Sequence, residues 1–170
     1  MIIAETNRLL ISKITVEDAP FILELMNTRG WITYIGDRNV KTVKDAATYI
    51  KNNQLKAYQT NEFGYYKVQL KAENLKPIGS FGLLKRELLE HVDIGFSLLP
   101  DYHGKGYGFE GATAIMELAK NTFNIKTLYA ITLPINKPSI HLLEKLGLSY
   151  QKTVKPFGDD EELLLFAKNL

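Results

Sequence analysis

Three glycines alternate with a lysine and a tyrosine in His103-Gly104-Lys105-Gly106-Tyr107-Gly108. Before them, Val92, Ile94, Phe96 and Leu98 alternate with Asp93, Gly95 and Ser97, as in a strand, and Pro100-Asp101 ends the run. After them, Ala112, Ile115, Met116, Ala119 and Phe123 recur at the spacing of a helix with one buried face. The order strand, glycine turn, helix is suited to holding an anion. The first turn of a helix carries N–H groups without partners at the positive end of its dipole. Glycines let the backbone come close to a phosphate and adopt positive φ, and Lys105 adds a positive charge. The plain alternative is an ordinary strand-to-helix turn, for which fewer glycines would serve.

Two nucleotide readings fit less well. Gly106-x-Gly108-x-x-Gly111 matches the dinucleotide fingerprint by letter. That fingerprint needs a second strand ending in an acidic residue, whereas the strand around Leu128 to Thr132 runs into Leu133-Pro134. No Walker-type loop is present, because Gly104-Lys105 is followed by Gly106.

The rest of the chain must position this turn. At 170 residues, 45% hydrophobic and 24% charged, it suits one domain spanning 1–170 with a real core. A net charge of +2 with scattered lysines gives no nucleic-acid footprint. The absence of cysteine excludes disulfides, thiolate metal ligands and an acyl-cysteine intermediate. No apolar run reaches the length of a membrane span and the start lacks a signal-peptide pattern, so a soluble, cytoplasmic chain without a membrane partner is expected.

In chain order, residues 2 to 14 carry a strand pattern, and Thr15-Val-Glu-Asp18 resembles a helix start. A loop with Trp31, Tyr34, Gly36 and Asp37 leads to a second helix start at Thr42-Val-Lys-Asp45. Strands around 63–70, 78–84 and 92–98, with short connections, imply an antiparallel meander. After the central helix come a strand at 127–132, a helix opened by Asn136-Lys-Pro138 and closed by Gly147, and strands near 148–154 and 163–167.

This order, with its glycine loop, resembles the GNAT superfamily of N-acetyltransferases, in particular the branch of ribosomal-protein N-terminal (alanine/serine) acetyltransferases. The similarity is carried by Glu5-Thr-Asn-Arg-Leu9 with Val16-Glu-Asp18, by Ile94 to Glu110, and by Asn136-Lys-Pro-Ser139 with Leu143-Glu-Lys-Leu-Gly147. It implies an α+β, mixed fold: a mostly antiparallel twisted sheet of about seven strands with about four helices on both faces, splayed between the fourth and fifth strands. It also implies acetyl-CoA as cosubstrate, no metal, an amine acceptor that is a small molecule or a protein N-terminus, and a monomer or homodimer.

Carried over by residue, the family pattern Q/R-x-x-G-x-G/A falls on His103, Gly104, Lys105, Gly106, Tyr107 and Gly108, with His103 in place of Gln or Arg. Phe96, Ser97 and Leu98 would offer strand backbone to the pantetheine arm, and Asn136 would bind it or cap its own helix. The reaction implied is direct attack of a neutral amine on the thioester. The tyrosine that many relatives use to protonate the departing thiolate falls here on Leu143, which points to Ser139, either as that acid or as a helix cap. Asp93 is the first candidate base and His91 the second, with a solvated strand face the alternative for Asp93. Trp31 and Tyr34 are the candidates for covering the acceptor. A protein that binds coenzyme A without turnover is the alternative function.

Overall fold

The computed structural model describes residues 1–170. One eight-stranded sheet runs through it in the order β1-β2-β3-β4-β5-β6-β8-β7. The strands are β1 (Ile2–Glu5), β2 (Leu9–Lys13), β3 (Tyr65–Leu70), β4 (Lys76–Leu84), β5 (Asp93–Leu98), β6 (Thr127–Thr132), β7 (Ser149–Val154) and β8 (Leu163–Asn169). All neighbours are antiparallel except β5 and β6. The strand expected over 2–14 is a hairpin, which raises the count to eight. Its turn is held by Thr6, whose backbone N–H donates to the Leu9 carbonyl at 2.9 Å and whose hydroxyl accepts from Leu9 N at 3.0 Å.

The helices are α1 (Ala19–Met26), α2 (Arg29–Tyr34), α3 (Val43–Ile50), α4 (Lys56–Asn61), α5 (Tyr107–Asn121) and α6 (Lys137–Lys145). Four of these six fall where the sequence marks helices. The short α2 occupies what reads as loop, its N-cap Thr28 accepting from Trp31 N at 3.3 Å. The α3 start is a capping box between Thr42 and Asp45, and a π-helical turn, Lys51–Leu55, carries the chain on into α4.

Successive side chains of a strand point to opposite faces. On β5, Ile94, Phe96 and Leu98 share the face that α5 covers. Phe81 lies directly across from Phe96 and packs so closely on Gly111 of α5 that a Cβ there would sit 2.6 Å from its ring. Asp93, Gly95 and Ser97 share the other face. Ser97 is in register with Ser80 and Lys67, and Lys67 reaches Asp18 at the entry to α1 at 2.8 Å. The middle of β4, buried from Ile78 to Leu83, shows that both faces are covered.

Candidate active site

The parallel pair β5–β6 touches at one register position, Asp93 against Tyr129, where Tyr129 N donates to Val92 O at 2.9 Å. From Ile94 onward the β5 edge facing β6 has no strand partner. A strand edge of this kind can pair with an extended amide chain. A cleft of about 1340 Å³ opens there and reaches both faces of the sheet, lined by Phe96 and Leu98 from one face and Asp93, Gly95 and Ser97 from the other.

On the α5 side the cleft meets the glycine turn. Gly104 and Gly106 have φ of +71° and +85°, and Gly106 is the N-cap of α5. The first intrahelical bond runs from Glu110 N to Gly106 O at 3.1 Å, so the amides of Tyr107, Gly108 and Phe109 precede the helical ladder. No side chain crowds a Cβ position at Gly104, whereas one at Gly108 would meet Leu142 at 3.1 Å. His103 lines the cleft and its Nε2 lies 3.0 Å from Leu98 O, tying the turn back to β5. Lys105 and Tyr107 are not part of the lining. Their neighbour is Arg8, which donates to Lys105 O at 2.9 Å and stacks 4.4 Å from the Tyr107 ring centroid. Glu110 anchors this arrangement by accepting from Thr6 Oγ1, Arg8 N and Arg8 Nε at 2.6, 2.8 and 2.6 Å. Although its partial burial works the other way, those bonds hold the Glu110 carboxyl below the usual carboxylate range.

Asn136 and Ser139 line the cleft at the start of α6. The cap of that helix is Asn136, whose Oδ1 accepts from Ser139 N at 3.3 Å. The Ser139 hydroxyl makes no hydrogen bond, so the capping role the sequence allowed it belongs to Asn136. Replacing Ser139 with alanine is therefore expected to leave the melting temperature within about a degree, since no cap is lost. If the hydroxyl serves proton transfer, the turnover rate falls by roughly 10²-fold. A lowered melting temperature with normal turnover would contradict this placement.

Asp93 forms the floor on the other face. It is 1% exposed, and Arg86 Nε donates to its Oδ1 at 3.1 Å. The solvated-face alternative is therefore overturned: the carboxyl is buried and paired with Arg86. Burial pushes the Asp93 pKa up to about 6, outweighing the stabilising charge of Arg86. His91 stays outside the cleft. Its ring packs edge-on against Tyr129 at 5.0 Å, and its Nε2 is 3.7 Å from Glu90. Trp31 and Tyr34 of α2 both line the cleft, on the side of α1 and α3.

The structure adds residues that the sequence did not single out. Tyr65 of β3 lies across Gly82 and Gly95, which follow it in cross-strand register, and a Cβ at Gly95 would collide with its hydroxyl. Gly95 thus makes room for a tyrosine on the Asp93 face. Burial raises the Tyr65 pKa, with the nearby Asp93 charge adding to it. Gln54 enters the lining from the π-helical turn, an element frequent at functional sites. No group of His, Cys, Asp and Glu residues could hold a metal ion, and no helix is long and apolar enough to cross a membrane.

A sheet that splits beside a glycine-capped helix offers an anion site next to a free strand edge, and comparison with known proteins gives the family. Residues 8–149 match the acetyltransferase (GNAT) domain, so the chain belongs to the GNAT acetyltransferases. It is 29% identical over 143 residues, covering 84% of this chain and 80% of the relative, to the uncharacterized N-acetyltransferase YnaD of Bacillus subtilis (strain 168). Its fold is shared with an acetyltransferase of Agrobacterium tumefaciens str. C58 at TM-score 0.81 and 23% identity, covering 98% and 94% of the two chains. It is shared also with RimL, the ribosomal L7/L12 alpha-N-protein acetyltransferase solved with coenzyme A, at TM-score 0.84 and 14% identity, covering 100% and 98%. The chain is an acetyltransferase, and enzymes of its family use acetyl-CoA.

Proposed function

We propose that the protein transfers an acetyl group from acetyl-CoA to a primary amine by direct attack within the split between β5 and β6. The observation that carries this reading is one cleft joining the unpartnered amides of α5, the free edge of β5 and the buried carboxyl of Asp93. The pyrophosphate of acetyl-CoA meets the first turn of α5, with Gly104, Gly106 and Gly108 giving its oxygens access to backbone N–H groups. The pantetheine amides pair with β5 along Phe96, Ser97 and Leu98, with Asn136 facing them. A β5 amide polarises the thioester carbonyl.

The acceptor enters from the α1–α3 face. Asp93 takes a proton from the ammonium or from the nitrogen as the C–N bond forms. The C–S bond breaks, and the thiolate receives a proton from water, or from the Ser139 hydroxyl as that hydroxyl takes a proton from solvent. With no cysteine in the chain, no acyl-thioester intermediate on the protein is available. The acceptor is a small-molecule amine or a protein N-terminus. RimL, which acts on the latter, supports that option by fold alone. Release of free thiol from acetyl-CoA in the presence of a panel of amines tests the proposal. Thiol release that depends on an amine is expected, and none with any amine would overturn it.

A further inference from the structure

Three buried side-chain polar atoms of the protein have no hydrogen-bond partner: Trp31 Nε1, Gln54 Oε1 and the Tyr66 hydroxyl. The first two belong to residues that line the cleft, and Tyr66 does not. An unsatisfied buried donor costs its full desolvation, so a donor held in that state at a cleft wall is matched by something that binds there. The exposed Arg38 lines the same cleft and has no carboxylate within ion-pair distance. Its charge is felt by the hydroxyls of Tyr49 and Tyr65, which also feel Arg86, and Tyr65 feels Asp93 as well. Arg86 is already engaged by Asp93. The other carboxylate of the lining, Glu161, sits on the exposed loop before β8. The cleft thus holds one unpaired donor, the Trp31 indole N–H, one unpaired acceptor, Gln54 Oε1, and a positive charge without a carboxylate partner.

We infer that the acceptor is an amine that also carries a carboxylate, held by the Arg38 guanidinium and the Trp31 indole N–H while the amine faces Asp93. This rests on the amine-acceptor reading above and narrows it. Arginine and an indole N–H are donors without acceptor capacity, so they match carboxylate oxygens and leave a second ammonium unmatched. The unpaired amide of Gln54 then meets the remaining N–H groups of the same ligand. Two sources present this chemistry: a free amino acid, and a peptide N-terminus followed by an acidic side chain.

The test compares free amino acids with their amides, tripeptides carrying Asp or Ala at the second position, and an aliphatic diamine, with rates referred to the free-amine fraction. Acids are expected to exceed their amides by about tenfold or more in kcat/KM, and Arg38→Gln to lower acids 10- to 100-fold while leaving amides near their original rate, the range for one charge-assisted hydrogen bond. Trp31→Phe, which keeps the ring and removes the N–H, moves the same substrates in the same direction. Which acids respond, free or peptide-borne, identifies the source. Equal rates for acids and amides, preference for the diamine, or an Arg38→Gln loss shared by all amines would overturn the inference while leaving the transferase reading intact. Melting of the coenzyme A-saturated protein with the same acids separates the two claims. Stabilisation by acids that disappears in Arg38→Gln, without any thiol release, sinks the acceptor reading and keeps the carboxylate site. Absence of both sinks the inference.

Discussion

Replacing Asp93 with asparagine is expected to lower kcat/KM by roughly 10²- to 10⁴-fold, the usual range for loss of a general base. Its shape is kept and its charge is lost. The wild-type kcat/KM should rise with pH around 6, where the buried carboxyl ionises, separately from the later rise set by the acceptor's own ammonium. The variant should retain the later limb alone. Stability should move the other way. Because the folded-state pKa of Asp93, about 6, lies above its ordinary value of 3.8, its contribution is full below pH 3.8 and is lost as pH rises through 6. At pH 7 to 8 the ionised, buried carboxylate therefore costs up to about 3 kcal/mol, from the linkage of about 1.4 kcal/mol per pKa unit. Asp93→Asn should remove that pH dependence and melt no lower than the wild type at pH 8. An unchanged pH–rate profile, together with a drop in melting temperature, would reduce the Arg86–Asp93 pair to a structural contact.

Gly106→Val is expected to abolish acetyl-CoA binding, read as loss of the melting-temperature increase that acetyl-CoA gives the wild-type protein. Two causes act together. At φ +85° a β-branched residue is strained, and its Cβ would sit 3.2 Å from Arg8 Nη2, on the very residue that starts α5. Either response, a flipped peptide or a displaced Arg8, turns the first amides of the helix. Gly104→Ala separates the causes, because φ there is +71° with nothing within 4 Å of a Cβ. Strain alone should weaken binding roughly tenfold, the equivalent of the 1–2 kcal/mol cost of a left-handed residue. Full acetyl-CoA stabilisation in a folded Gly106→Val protein would remove the anion-site reading.

Local signals carried most of the fold. The apolar spacing of Ala112, Ile115, Met116 and Ala119, the alternation from Val92 to Leu98 and the Asn136-Lys-Pro138 start each specify an element within a few residues. The glycine turn was legible for the same reason. What escaped the sequence depends on pairing at a distance. Arg86 meets Asp93 across the β4–β5 connection, and Tyr65 reaches Gly95 across two strand registers. Neither follows from spacing along the chain. Gln54 was hidden because the π-helical turn breaks the 3.6-residue period just where it enters the cleft. The helix α2 was hidden by Gly30 and two β-branched residues in a six-residue segment, which lower helix propensity although Thr28 offered a cap. Ser139 was assigned a possible cap because its position fits one, and the Asn136 side chain holds it instead.

The central claim is that an amine attacks the thioester directly while both substrates occupy the split sheet. Initial rates of thiol release over a grid of acetyl-CoA and amine concentrations test it most directly. The account predicts intersecting double-reciprocal lines and no thiol release from acetyl-CoA until the amine is added. Parallel lines with a burst of thiol from acetyl-CoA alone would contradict it, because they require an acetyl group parked on a side chain before the amine binds.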